Sequence, residues 1–153
     1  DRLWQTMNAV TAGGPGLVAV GYDGATDDYN AAVWTSADGT IWTRVPHDEA
    51  VFGGSDVQAM NAVAAGPGGL VAVGYDRTHR GYDAAAWTSA DGTTWARVPH
   101  DPSVFSSLSS QAMSGVAAGG AGLVAVGNRM TVLGWVPRDN DAAVWVSPPP
   151  VVP

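Results

Sequence analysis

Apolar residues in this chain come in short runs separated by Gly, Pro, Ser, Asp and Asn. Met7 to Ala12 is the first run, and Gly13-Gly14-Pro15-Gly16 ends it. Gly and Pro punctuate a chain in this way because of their special φ preferences. Leu17 to Tyr22 is the second run, and a polar stretch leads to a third, Ala31 to Thr35. Ser36-Ala37-Asp38-Gly39 then turns the chain into Ile41 to Val45, and Pro46 ends the ladder because it has no N–H to donate. The pattern predicts four consecutive antiparallel strands.

The pattern repeats. Met7-Asn8-Ala9-Val10 returns as Met60-Asn61-Ala62-Val63 and, more loosely, as Met113-Ser114-Gly115-Val116, a step of 53 residues each time. Leu17 to Gly21 returns at Leu70 to Gly74 and at Leu123 to Gly127. The units run over about 5–57, 58–110 and 111–147, making one three-repeat β domain over 1–147. A period of this size marks a stacked or circular repeat architecture. The third unit runs into prolines after Trp145-Val146-Ser147, so it is expected to be incomplete, and 148–153 reads as a stiff tail or linker.

Leu17-Val18-Ala19-Val20 does not alternate in polarity, so this strand is expected to be covered on both faces. A β-propeller does this by sandwiching each blade between two neighbours. The fold expected is therefore all-β, with three four-stranded propeller-type blades that form half of a six-bladed ring. A β-trefoil also has three repeats of this size and is the alternative, although its strands should alternate. Three blades cannot close a ring, whose smallest size is about four. Self-association into a dimer, or further blades from a longer chain, is therefore expected.

Hydrophobic residues make up 46% and charged residues 14%, and the net charge is −7 with no Lys. Nucleic acid needs clustered cations, which seven scattered Arg do not supply, so it is set aside, as is an anionic membrane surface. No segment has the ~20 apolar residues that span a bilayer. The absence of Cys excludes disulfides and thiolate metal sites.

The turn Ser36-Ala37-Asp38-Gly39-Thr40-Ile41-Trp42 and its copy Ser89 to Trp95 resemble the Asp-box of sialidase-type and related β-propellers, in a form one residue shorter between Asp and Gly. The whole unit is similar to the blades of bacterial secreted Asp-box repeat proteins. That resemblance implies a bacterial secreted or surface location, and a box that acts as a fold signature in enzymes, lectins and scaffolds alike. Gly39 and Gly92 permit a tight turn, Asp38 and Asp91 can accept turn N–H groups, Ser36 and Ser89 open the motif, and Trp42 and Trp95 can cover the hairpin.

Strand alternation puts the Gly-rich turns and the boxes at one end of each unit, and the second-to-third loops and the unit-to-unit links at the other. Those loops, Asp23 to Asn30, Asp76 to Asp83 and Asn128 to Asp141, differ most between units. Variable polar loops bearing aromatics are where binding usually lives. The candidate ligand residues are Asp28, Tyr29, Arg80, Tyr82, Trp135 and Arg138. Aromatic rings cover the apolar faces of sugars while Asp and Arg bond hydroxyls, so a glycan is the favoured ligand, with protein second.

Pro46-His47-Asp48 and Pro99-His100-Asp101 invite a metal or acid–base reading, but a residue present once per unit normally holds the unit in place. Asp27 and Asp28 show no EF-hand spacing for calcium. A sialidase-like enzyme needs an arginine cluster and a Tyr with a carboxylate partner, and no such set is evident. A non-catalytic, cofactor-free, lectin-like binding module is expected. The alternative is a structural or assembly segment of a larger secreted protein.

Overall fold

A computed structural model describes residues 4–25, 27–54, 56–79, 81–105, 110–119, 122–133 and 136–147, with the main chain alone over 132–133 and 136–138. The chain forms three separate antiparallel sheets, each a meander in which every strand pairs with the next. The first sheet is β1 (Trp4–Gly13), β2 (Gly16–Ala25), β3 (Asp28–Ser36) and β4 (Thr43–Arg44). After helix α1 (Glu49–Phe52) comes the second, with β5 (Gln58–Gly66), β6 (Gly69–Thr78), β7 (Gly81–Ser89) and β8 (Ala96–Arg97). Helix α2 (Pro102–Phe105) leads to the third, β9 (Ser110–Gly119), β10 (Gly122–Leu133) and β11 (Val136–Val146). The sheets do not close into a barrel, which removes the trefoil alternative.

Each sheet has two different faces. Val18, Val20, Ala31 and Val33 of the first pack into one core with Ala72, Ala85, Trp87 and Trp95 of the second. The opposite face of the second sheet, with Val73 and Ala84, packs on Met113 and Ala125 of the third, joined by Val71, Ala86 and Trp145. A valine face thus meets a tryptophan face twice, and the non-alternating second strand is apolar because it serves both. The first strands lie side by side, β5 between β1 and β9.

Local signals explain the recurring motifs. Pairing of β1 with β2 slips between Met7 and Ala9, making Asn8 a bulge residue, and the same slip falls at Asn61. Bulges re-aim side chains. Here Asn8 Nδ2 donates to the Met60 carbonyl of the next sheet at 2.9 Å, and Asn61 Nδ2 donates to that of Met113 at 2.8 Å. Opposite the bulge stands the repeated glycine. A Cβ at Gly21, Gly74 or Gly127 would collide with the carbonyl of Thr6, Ala59 or Ala112.

Two expectations need correction. The fourth strand is two residues rather than Ile41 to Val45, because Asp38 Oδ1 takes the N–H groups of Thr40 and Ile41 and holds them out of the ladder. The second-to-third loops are mostly strand: Asp23 pairs with Asn30, Gly24 with Tyr29 and Ala25 with Asp28, and Asp76 pairs with Asp83 in the second unit. The unit-to-unit links also hold the short helices α1 and α2. Asp48 Oδ1 caps α1 by accepting from Ala50 N at 3.0 Å, and Asp101 caps α2 through Ser103 N at 2.9 Å.

Candidate functional site

The hairpin end of the first two sheets carries a ladder of four tyrosines. Tyr22 on β2 lies 4.5 Å from Tyr29 on β3, centroid to centroid. The Tyr29 and Tyr75 hydroxyls are hydrogen-bonded across the sheets at 2.8 Å. Tyr75 on β6 meets Tyr82 on β7 edge to face at 5.1 Å. Burial, reinforced by the Tyr29 hydroxyl, pushes the Tyr75 phenol above the ordinary tyrosine range. In the third unit an amide pair continues the rim, with Asn128 Nδ2 donating to Asn140 Oδ1 at 3.0 Å.

The candidate ligand residues separate in this geometry. Asp28 opens β3 and is exposed, and Tyr29 is half-buried with its hydroxyl engaged. Tyr82 is 40% exposed, and its N–H donates to Ser110 Oγ. Neither aromatic sits in a loop, which corrects that expectation. Arg138 lies on β11 where its pairing with β10 slips. Arg80 and Trp135 lie outside the described residues. Tyr22 and Tyr75 were not singled out from the sequence, although each directly follows the recurring Leu-Val-Ala-Val-Gly.

The links share this end. His100 Nε2 stands 3.9 Å from Asp83, His47 Nε2 bonds Glu49 at 2.9 Å, and both imidazoles lie against the phenylalanine that ends the neighbouring helix. No group of three His, Asp or Glu able to hold a metal ion is present among the described residues. Among them, no helix is long and apolar enough to cross a membrane.

The shortened boxes at the opposite end are alike in detail. Ser36 Oγ accepts from Gly39 N at 2.8 Å, Asp38 Oδ1 accepts from Thr40 N at 2.8 Å, and Trp42 Nε1 donates to the Gly39 carbonyl at 3.2 Å. Ser89, Asp91, Gly92, Thr93 and Trp95 repeat the pattern. Gly39 and Gly92 have φ of 81° and 78°, the left-handed region that glycine supplies. These bonds, led by the Thr40 N–H, lower the Asp38 carboxyl to about 2. Asp91 is lowered further, the Thr94 N–H being the main cause.

Arg44 and Arg97 each reach along the tryptophan face to an aspartate of the second strand. Arg44 NH2 donates to Asp23 Oδ1 at 2.7 Å, and Arg97 pairs with Asp76 while lying 5.5 Å over the Trp87 ring. Gln58 Nε2 adds a bond to Asp76 at 2.9 Å. Compared with protein-family models, curated proteins and solved structures, the chain matches none.

Proposed function

We propose that this chain is a non-catalytic blade module that joins head to tail with a second copy into a six-bladed propeller-type ring. One observation carries the reading: the valine face, covered twice inside the chain, is open on the third sheet, and at the other end β1 is open although Ala19, Ala32 and Trp34 beside it are buried. Val18 and Val20 are 0% exposed beneath the second sheet, whereas their counterparts Val124 and Val126 are 40% and 46% exposed. Val144 and Val146 continue that patch, paired across the strands with Val126 and Val124. At the other end Met7 is 46% exposed, whereas Met60 and Met113, covered by a preceding sheet, are 0% and 2%. Apolar patches of this kind mark association surfaces. Two copies supply six sheets, within the range of ring sizes, and a two-fold closed ring satisfies both ends.

Blocked ends test the head-to-tail sense. Val126→Glu blocks the valine end and Val10→Glu the first-strand end. Each variant alone should be monomeric by light scattering, and an equimolar mixture should form a two-chain particle through the one intact junction. Dimers of either variant alone would contradict the proposal.

A second reading concerns the rim. Tyr82 is exposed beside Tyr75, and Asn128 with Asn140 extends the row. Aromatic faces beside amides suit a carbohydrate ligand, so the ring would present this rim to glycans. A glycan array with Tyr82→Ala as control tests it: binding lost in a folded variant supports the reading, and binding retained contradicts it.

A further inference from the structure

The third sheet departs from the other two at one charged position. Asp23 and Asp76 each receive an arginine from the fourth strand, Arg44 or Arg97. The corresponding residue of β10 is Arg129, so the sign is reversed. Arg129 is exposed and makes no ion pair with any described residue, its cross-strand neighbour Asp141 included.

The place of the missing arginine is open. A cleft of about 480 Å³ lies over Trp145, bounded by Ser103 and Val104 of α2, by Gln111 and by Arg129. Gln111 is 7% exposed, and among the described residues its buried Oε1, like that of Gln58 at the same place in the second sheet, has no hydrogen-bond partner. In the second sheet the same place holds the Arg97 guanidinium stacked on Trp87. The outer edge of β11 also has no paired strand among the described residues. In the first two sheets that edge is used: Val45 N donates to the Val33 carbonyl at 2.8 Å, and Val98 N to that of Ala86 at 2.9 Å.

We infer that the β11 edge takes a fourth strand from a partner polypeptide, an extended segment whose glutamate enters the cleft over Trp145 and pairs with Arg129. Main-chain bonds to an open edge supply affinity, and a side-chain pocket supplies choice of sequence. The reach is conserved: a long arginine with a short aspartate becomes a long arginine with a modest glutamate. Charge-assisted bonds of this kind are the strong ones. Residues 148–153 carry four prolines and no Asp or Glu, so they lack the required glutamate. The cleft borders the valine face that joins two copies, sharing Val144 and Val146 with it.

The probe is a labelled peptide with the sequence of residues 40–47, the chain's own fourth strand, carrying Arg44→Glu. The unsubstituted peptide is the control. Fluorescence anisotropy with the full chain should show saturable binding of the substituted peptide, and at least ~10-fold weaker binding of the control. Against an Arg129→Glu chain, checked for folding by circular dichroism, the order should reverse. Equal binding of both peptides, an unchanged order with Arg129→Glu, or no saturable binding of either peptide would overturn the proposal.

Discussion

The Asn61 side-chain amide donates to the Met113 carbonyl at 2.8 Å, and it does so from a bulge. Asn8 repeats the bond to Met60 one sheet earlier. One residue outside the ladder therefore ties each sheet to the next, and the Met-Asn-Ala-Val motif is the trace of a joint between units. Asn61→Ala should lower unfolding stability by about 1–2 kcal/mol in a urea titration, the cost of an amide bond whose buried acceptor loses its donor. An unchanged midpoint would remove the bond from the account.

The glycine opposite that bulge admits no side chain. Gly74→Ala drives a Cβ into the Ala59 carbonyl and should cost about 3 kcal/mol, at the upper end of ordinary substitutions. Gly68→Ala meets nothing within 4 Å and serves as the control, with an effect within about 0.5 kcal/mol. Equal thermal stability of the two variants would contradict the reading.

Trp95 and Trp42 occupy the same place in two boxes but differ in cover. Trp95 is buried against the first sheet, whereas Trp42 is half-buried at the free end. Trp95→Ala should cost about 3–5 kcal/mol. Trp42→Ala should cost clearly less in a monomeric, end-blocked background. The sequence suggests equal losses, because it shows the repeat and not which copy is covered. Equal losses in denaturant titrations would contradict the structural difference.

The box carboxyls make stability depend on acid. Both are lowered by N–H groups that favour the ionised form, Asp38 from 3.8 to about 2. A group lowered on folding stabilises above its unfolded value, and that contribution is lost as pH falls through the folded value. The contribution is therefore complete above about pH 4 and declines toward pH 2. The double variant Asp38→Asn, Asp91→Asn should flatten the acid limb of the melting temperature in that window. An unaltered slope would contradict the assignment.

The strand order was legible because the Gly-Pro turns, the boxes and the apolar runs repeat together. The hairpin arms were not. Asp23, Gly24 and Asp28 are turn-forming residues, yet they pair as strand because the tyrosine ladder covers the extension. The helices were hidden by their four-residue length, although Asp48 and Pro102 are helix-start signals. The charge reversal at Arg129 was present in the sequence, but its meaning depends on Arg44 and Arg97 reaching Asp23 and Asp76, which strand pairing alone reveals.

The mass of the particle in solution tests the central claim most directly. Native mass spectrometry of the 15.6 kDa chain at micromolar concentration should give a species of twice that mass, and Val126→Glu should reduce it to one chain. A folded chain that stays monomeric at that concentration, with Val124, Val126, Val144 and Val146 left in water, would contradict it.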